Sequence, residues 1–175
     1  MSDTQRSLVA LQALLADNNV EAISEQDLRD ALVSALGGYG SISVQDGTTA
    51  QTGIGTTPSQ LGGFAANGPS SGTTPDQTSS QIAVGVAADY GVAAALYVTG
   101  TPSRTVQVRL RKNGLEVNGV GARATFDASG GLESLVLAGQ VTCLAADILA
   151  LYVEADQAGT SVTLVDGNFS VKRLS

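Results

Sequence analysis

TVQVRLRKNG, residues 105–114, has the pattern of a strand that ends in a tight turn. Val106, Val108 and Leu110 alternate with Gln107, Arg109 and Arg111, the period of two that turns one apolar face to a core and one polar face outward. Asn113-Gly114 then supplies the two positive-φ residues of a two-residue hairpin, so the stretch from Leu115 is expected to double back.

Strands of the same kind extend in both directions. Downstream, Val117 to Phe126 is a weaker candidate and Asp127 to Gly131 a turn. Leu132 to Leu144 is long enough for one bent strand or two short ones, and Ile148 to Ala155 is a strand. Ser161 to Leu174 holds one or two more around a turn at Asp166-Gly167. Upstream, Gly100-Thr101-Pro102 is a turn, Val92 to Thr99 a strand entered by a turn at Tyr90-Gly91, and Ile82, Val84 and Val86 alternate. Shorter candidates are Ser41 to Val44, Ala50 to Ile54 and Ser59 to Phe64, whereas residues 67–80, NGPSSGTTPDQTSS, offer nothing to a core and read as an exposed loop. About eight antiparallel strands beyond residue 81, with a turn roughly every ten residues, predict a mainly β protein, a jelly-roll sandwich.

Before the strands stand two short amphipathic helices. Leu8, Leu11 and Leu15 recur at helical spacing within residues 4–16, closed by Asp17-Asn18-Asn19. Ser24 then reads as an N-cap with Asp27 three residues on, and Ile23 faces Leu28 in a hydrophobic staple. Leu28, Leu32 and Leu36 continue that stripe over residues 25–36, and Gly37-Gly38 ends it. Helices this short are marginal alone in water, so the six leucines must be buried against the β domain, another copy or another protein, and they form the candidate anchoring and assembly stripe. The expected organisation is a helical segment over 1–38, connecting strands and loop over 39–80, and a β domain over 81–175, the last two forming one domain.

Composition narrows the chemistry. Of 175 residues, 43% are hydrophobic but only 4% aromatic, with no Trp, so the core must be made of Val, Leu, Ala and Ile. Nine basic against sixteen acidic residues give a net charge of −7, which disfavours nucleic acid and anionic membranes as partners. Arg104, Arg109, Arg111 and Lys112 cluster in one strand and its flanks; a solvated strand face is the simplest reading, an acidic partner the sharper one. The single cysteine, Cys143, sits in an alternating run and reads as a small buried hydrophobe. The N-terminus has neither a membrane-spanning run nor the basic start of a secretion signal, and synthesis in a cytoplasm is expected.

No histidine occurs anywhere, which removes the usual general base and metal ligand. No serine lies in a nucleophile elbow and the glycines make neither a dinucleotide fingerprint nor a phosphate loop. Asp76, Asp89 and Asp147 are too dispersed for a calcium site. No catalytic residue, cofactor or metal ligand is assigned, and the chain is expected not to be an enzyme. Two strands, however, are apolar on both faces. Val92, Ala94, Leu96 and Val98 are opposed by Ala93, Ala95 and Tyr97; Leu149, Leu151 and Val153 by Ile148, Ala150 and Tyr152. Such strands need cover on both sides, from the N-terminal helices or, favoured here, a neighbouring subunit. Tyr97, Tyr152 and Ile148 are its candidate contacts.

From Gln81 to Leu174 the pattern resembles the tumour necrosis factor-like and complement globular-head-like jelly rolls. The resemblance is carried by Asp89-Tyr90-Gly91-Val92, Ala95-Leu96-Tyr97-Val98, the 106–114 stretch, Leu135 to Gln140, Ala146 to Val153 and Gly167-Asn168-Phe169-Ser170-Val171. Gly-Asp is usual in that family where this chain has Ala146-Asp147. The family implies a homotrimer. The first half, with Ile23 to Leu32 followed by Tyr39-Gly40-Ser41-Ile42 and a Thr- and Gly-rich run, is similar to tailed-phage virion proteins of the head-fibre or capsid-decoration kind. That resemblance implies a virion-surface structural protein, made in the host cytoplasm, whose N-terminal segment attaches to a capsid or other virion protein. The alternative is a receptor-binding tail-fibre tip with a host glycan as partner, for which the chain has few loop aromatics.

Overall fold

The computed structural model describes residues 37–174. Within them lie β1 (Tyr39–Val44), β2 (Ala50–Ile54), β3 (Ser59–Gln60), β4 (Ala66–Asn67), β5 (Thr73–Asp76), β6 (Gln81–Val84), β7 (Ala88–Gly100), β8 (Thr105–Lys112), β9 (Leu115–Thr125), β10 (Glu133–Cys143), β11 (Ile148–Ala155) and β12 (Thr160–Arg173). One sheet runs β10-β7-β12-β1-β4 with β2 also on β12; the other runs β5-β6-β11-β8-β9 with β3 on β11. The pairings are antiparallel, and the two inner faces enclose one core. The expected helices, with Leu8, Leu11, Leu15, Leu28, Leu32 and Leu36, lie outside the described residues.

The 105–114 stretch behaves as its pattern demands. Val106, Val108 and Leu110 are buried, and Asn113 and Gly114 take φ of 51° and 78° between Lys112 and its partner Leu115. Alternation likewise buries Leu96 and Val98 in β7, Leu135 and Leu137 in β10, and Leu149, Leu151 and Val153 in β11. At the predicted 127–131 turn, Asp127 Oδ1 accepts from the Ser129 amide and hydroxyl and from Gly131 N, which holds its carboxyl below the usual carboxylate value.

Three expectations change. Residues 67–80 are not wholly an exposed loop: Thr73–Asp76 forms β5 against β6, and Ser80 is buried. As an edge strand, β5 tolerates Pro75, whose missing N–H no neighbour requires. Tyr90-Gly91 is strand and not turn, because the Tyr90 ring lies in the core and its hydroxyl donates to Val86 O at 3.0 Å. Asp166-Gly167 is no turn either; β12 continues through it, absorbing one residue in a bulge between Leu164 and Asp166 opposite β7.

Candidate subunit-packing face

The outward residues of β10, β7 and β12 stand in register across the first sheet. Ser134, Tyr97 and Asp166 make one row; Val136, Ala95 and Asn168 the next; then Ala138, Ala93 and Ser170; then Gln140, Gly91 and Lys172. The β10–β7 half of this face is apolar at its centre yet open to solvent. Tyr97 is 46% exposed and Val136 67%, with Ala93, Ala95 and Ala138 also exposed. The β12 half is polar. Alanine side chains leave the surface low, with room for another backbone or sheet to approach closely, and an apolar centre beside a polar margin is the layout of a protein interface.

The opposite outer face is occupied by the chain's own charges. Arg109 pairs with Glu116 and stands 3.6 Å from Glu154. Arg111 lies over the Tyr152 ring, 4.9 Å from its centroid, and donates to Gly114 O at 2.9 Å. Lys112 donates to Thr142 O and lies 3.6 Å from Asp147. The basic stretch is thus largely matched within the chain, and β11 receives cover from it: Tyr152 is half-buried and Ala150, in register with Arg111, is buried. The three candidate contacts therefore separate. Tyr97 stands on the open apolar face; Tyr152 and Ile148 are on the other side of the sandwich, with Ile148 at 36% exposure.

Val136 and Ala138 escaped the sequence reading of this face. Their signal was the run Leu135-Val136-Leu137-Ala138, apolar at consecutive positions as β7 is, but flanked by Ser134 and Gln140, which made the strand look ordinary.

The charged side is pinned at one end by Asp147. Its carboxylate accepts from Leu144 N at 2.9 Å and Asn113 Nδ2 at 2.7 Å, while Asn113 Oδ1 accepts from Ile148 N at 2.8 Å. These bonds, with Lys112 nearby, keep the Asp147 carboxyl below its usual value. Cys143 is buried, and burial, with Asp147 adding to it, pushes its thiol up to about 11, so at neutral pH it is a neutral packing group. Among the described residues no group of three or more Cys, Asp or Glu side chains is placed to hold a metal ion.

No protein-family model and no curated protein matches the chain. Solved structures do. An Eiger tumour necrosis factor from S. frugiperda superposes with a TM-score of 0.57 at 15% identity, over 79% of this chain and 93% of that one. The globular domain of zebrafish complement 1qA gives 0.53 at 11%, covering 79% and 98%, and murine APRIL 0.52 at 10%, covering 79% and 99%. The described fold is therefore the tumour necrosis factor- and C1q-like jelly roll.

Proposed function

We propose that the chain is a non-enzymatic, homotrimeric structural protein that packs its β domains through the open face of β10 and β7 and attaches to a larger particle through residues 1–36. A tailed-phage capsid is the setting that the N-terminal resemblance implies, as a decoration or head-fibre protein displaying the β domain. The observation that carries the self-association is the exposed surface of Ala93, Ala95, Tyr97, Val136 and Ala138, on a fold for which the family resemblance given by the sequence implies a homotrimer. Apolar surface of this kind is stabilised by covering it, at about 25 cal/mol for each Å² removed from water. No second reading is favoured: the glycan-binding alternative still lacks loop aromatics to stack on a sugar.

Ala95→Arg puts a long charged side chain at the centre of the face without touching the core. Light scattering should give a trimer mass for the native chain and a monomer for the variant, with circular dichroism unchanged. A native monomer, or a variant that remains trimeric, rejects this face.

A further inference from the structure

Asn-Gly occurs three times, at 67–68, 113–114 and 118–119, and the three stand in different surroundings. At Asn113 both ends of the carboxamide are held: Nδ2 donates to Asp147 Oδ1 at 2.7 Å, and Oδ1 accepts from Ile148 N at 2.8 Å. At Asn67, Oδ1 accepts from Gln77 N at 2.8 Å, and the next main-chain amide, Gly68 N, donates to Ser41 O at 2.8 Å. Asn118 is exposed, and its carboxamide has no hydrogen-bond partner among the described residues. It stands in a bulge of β9. Arg109 pairs with Gly121 and Arg111 with Glu116, so residues 117–120 lie opposite Leu110 alone and take no cross-strand partner. Gly119 has a φ of 79°, and a Cβ there would meet nothing within 4 Å, so the peptide is open to water.

An Asn-Gly peptide reacts with itself. The glycine main-chain nitrogen attacks Cγ of the asparagine, the new N–Cγ bond replaces the Cγ–Nδ2 bond, and Nδ2 leaves as ammonia with the proton that the attacking nitrogen gives up. Water then opens the succinimide at either carbonyl, giving aspartate or isoaspartate, with no oxidant or reductant involved. Glycine favours the attack because it has no Cβ to obstruct the approach and its backbone turns freely. A carboxamide tied by hydrogen bonds reacts only when local opening frees it. We infer that Asn118 is a site of spontaneous deamidation, and that Asn113 and Asn67 are held back from the same reaction by their hydrogen bonds. The product places a carboxylate beside Gly119, which with Gln107, Arg109, Val120 and Gly121 lines a recess of about 200 Å³. Arg109 there already serves Glu116 and Glu154, so the new acid is unmatched and takes the net charge one step beyond −7. β9 belongs to the opposite sheet from β10 and β7, so subunit packing on their face leaves Asn118 open.

The test keeps the full chain folded at mildly alkaline pH, samples it over time and cleaves after Glu116, which puts residues 113 and 118 in separate peptides for mass spectrometry. Residue 118 should gain the amide-to-acid mass and the isoaspartate isomer first, roughly 10-fold or more ahead of residues 113 and 67, whose hydrogen bonds must break beforehand. In concentrated urea, where the fold no longer separates them, the three rates should draw together. Asp147→Ala should speed residue 113 by roughly 10-fold and leave residue 118 as it was. Asn118→Ser should remove the acidic species that anion exchange resolves from the ageing native chain. If residue 118 of the folded chain converts no faster than 113 and 67, or stays intact while the unfolded chain converts, the assignment falls. If Asp147→Ala leaves residue 113 as slow as before, the protection assigned to its hydrogen bonds falls.

Discussion

Ala146 carries the clearest local strain in the described chain. Its φ is +70°, a region that costs an L-residue with a Cβ roughly 1–2 kcal/mol. The next residue, Asp147, anchors the turn through Leu144 N and Asn113, and Ala146 N itself donates to Val84 O, so the turn cannot relax without breaking these bonds. The resembling families place glycine here. Ala146→Gly removes the Cβ and keeps every backbone bond, at the cost of a more flexible unfolded chain, and should stabilise the protein by about 0.5–1 kcal/mol. Urea denaturation with an unchanged slope and a raised midpoint is the expected result; a lowered midpoint would show that the Ala146 methyl contributes more in packing than it costs in strain.

At the level of elements, β9 and β10 join the two sheets along one side of the sandwich, and glycine decides how closely. Gly139 belongs to the inward row of β10 with Leu137 and Val141, and a Cβ there would lie 2.3 Å from Val120 Cγ2. Val120, buried on β9, takes the space that a side chain at 139 would need. Gly139→Ala should cost about 1–3 kcal/mol by overpacking, and Val120→Ala in the same chain should recover part of it, a coupling that thermal or urea unfolding of the four-member cycle measures. Strict additivity would sink this account. Strands with a buried partner on each side, such as β8 and β11, were legible because alternation is enforced by the core. The edge strand β5 was not, since one partner and a Pro impose little pattern, and the bulge at Asp166 was read as a turn because Asp-Gly carries the same local signal in both. The open face was half legible: Ala93, Ala95 and Tyr97 announced it, but which strand lies beside them is a matter of pairing, and β10 joins β7 across an intervening stretch of some thirty residues that no local periodicity reveals.

For the whole molecule, the point where residues 1–36 meet the β domain sets what their removal does. Tyr39 N already donates to Ser71 O, Arg173 N donates to Gly38 O and Leu174 N to Asp89 O, so the first and last described residues are tied into the same end of the sandwich. Among the described residues the core is built from strands on both sheets, and β1 joins its ladder through Tyr39 to Val44 against β12. A chain beginning at Gly37 should therefore fold and, if the open face carries association, keep its trimer mass. In the proposed attachment, three N-terminal segments held together by the β domains engage a particle at once, and linkage of this kind strengthens binding by roughly 100- to 10,000-fold over one segment. Co-sedimentation with capsids that lack the protein separates the parts: the full chain should pellet, the truncated trimer should stay in the supernatant, and the monomeric Ala95→Arg chain should pellet only at far higher concentration. Full attachment by the truncated trimer would move the anchor into the β domain. Equal attachment by the monomeric variant would instead leave the anchor in residues 1–36 and remove the need for three copies.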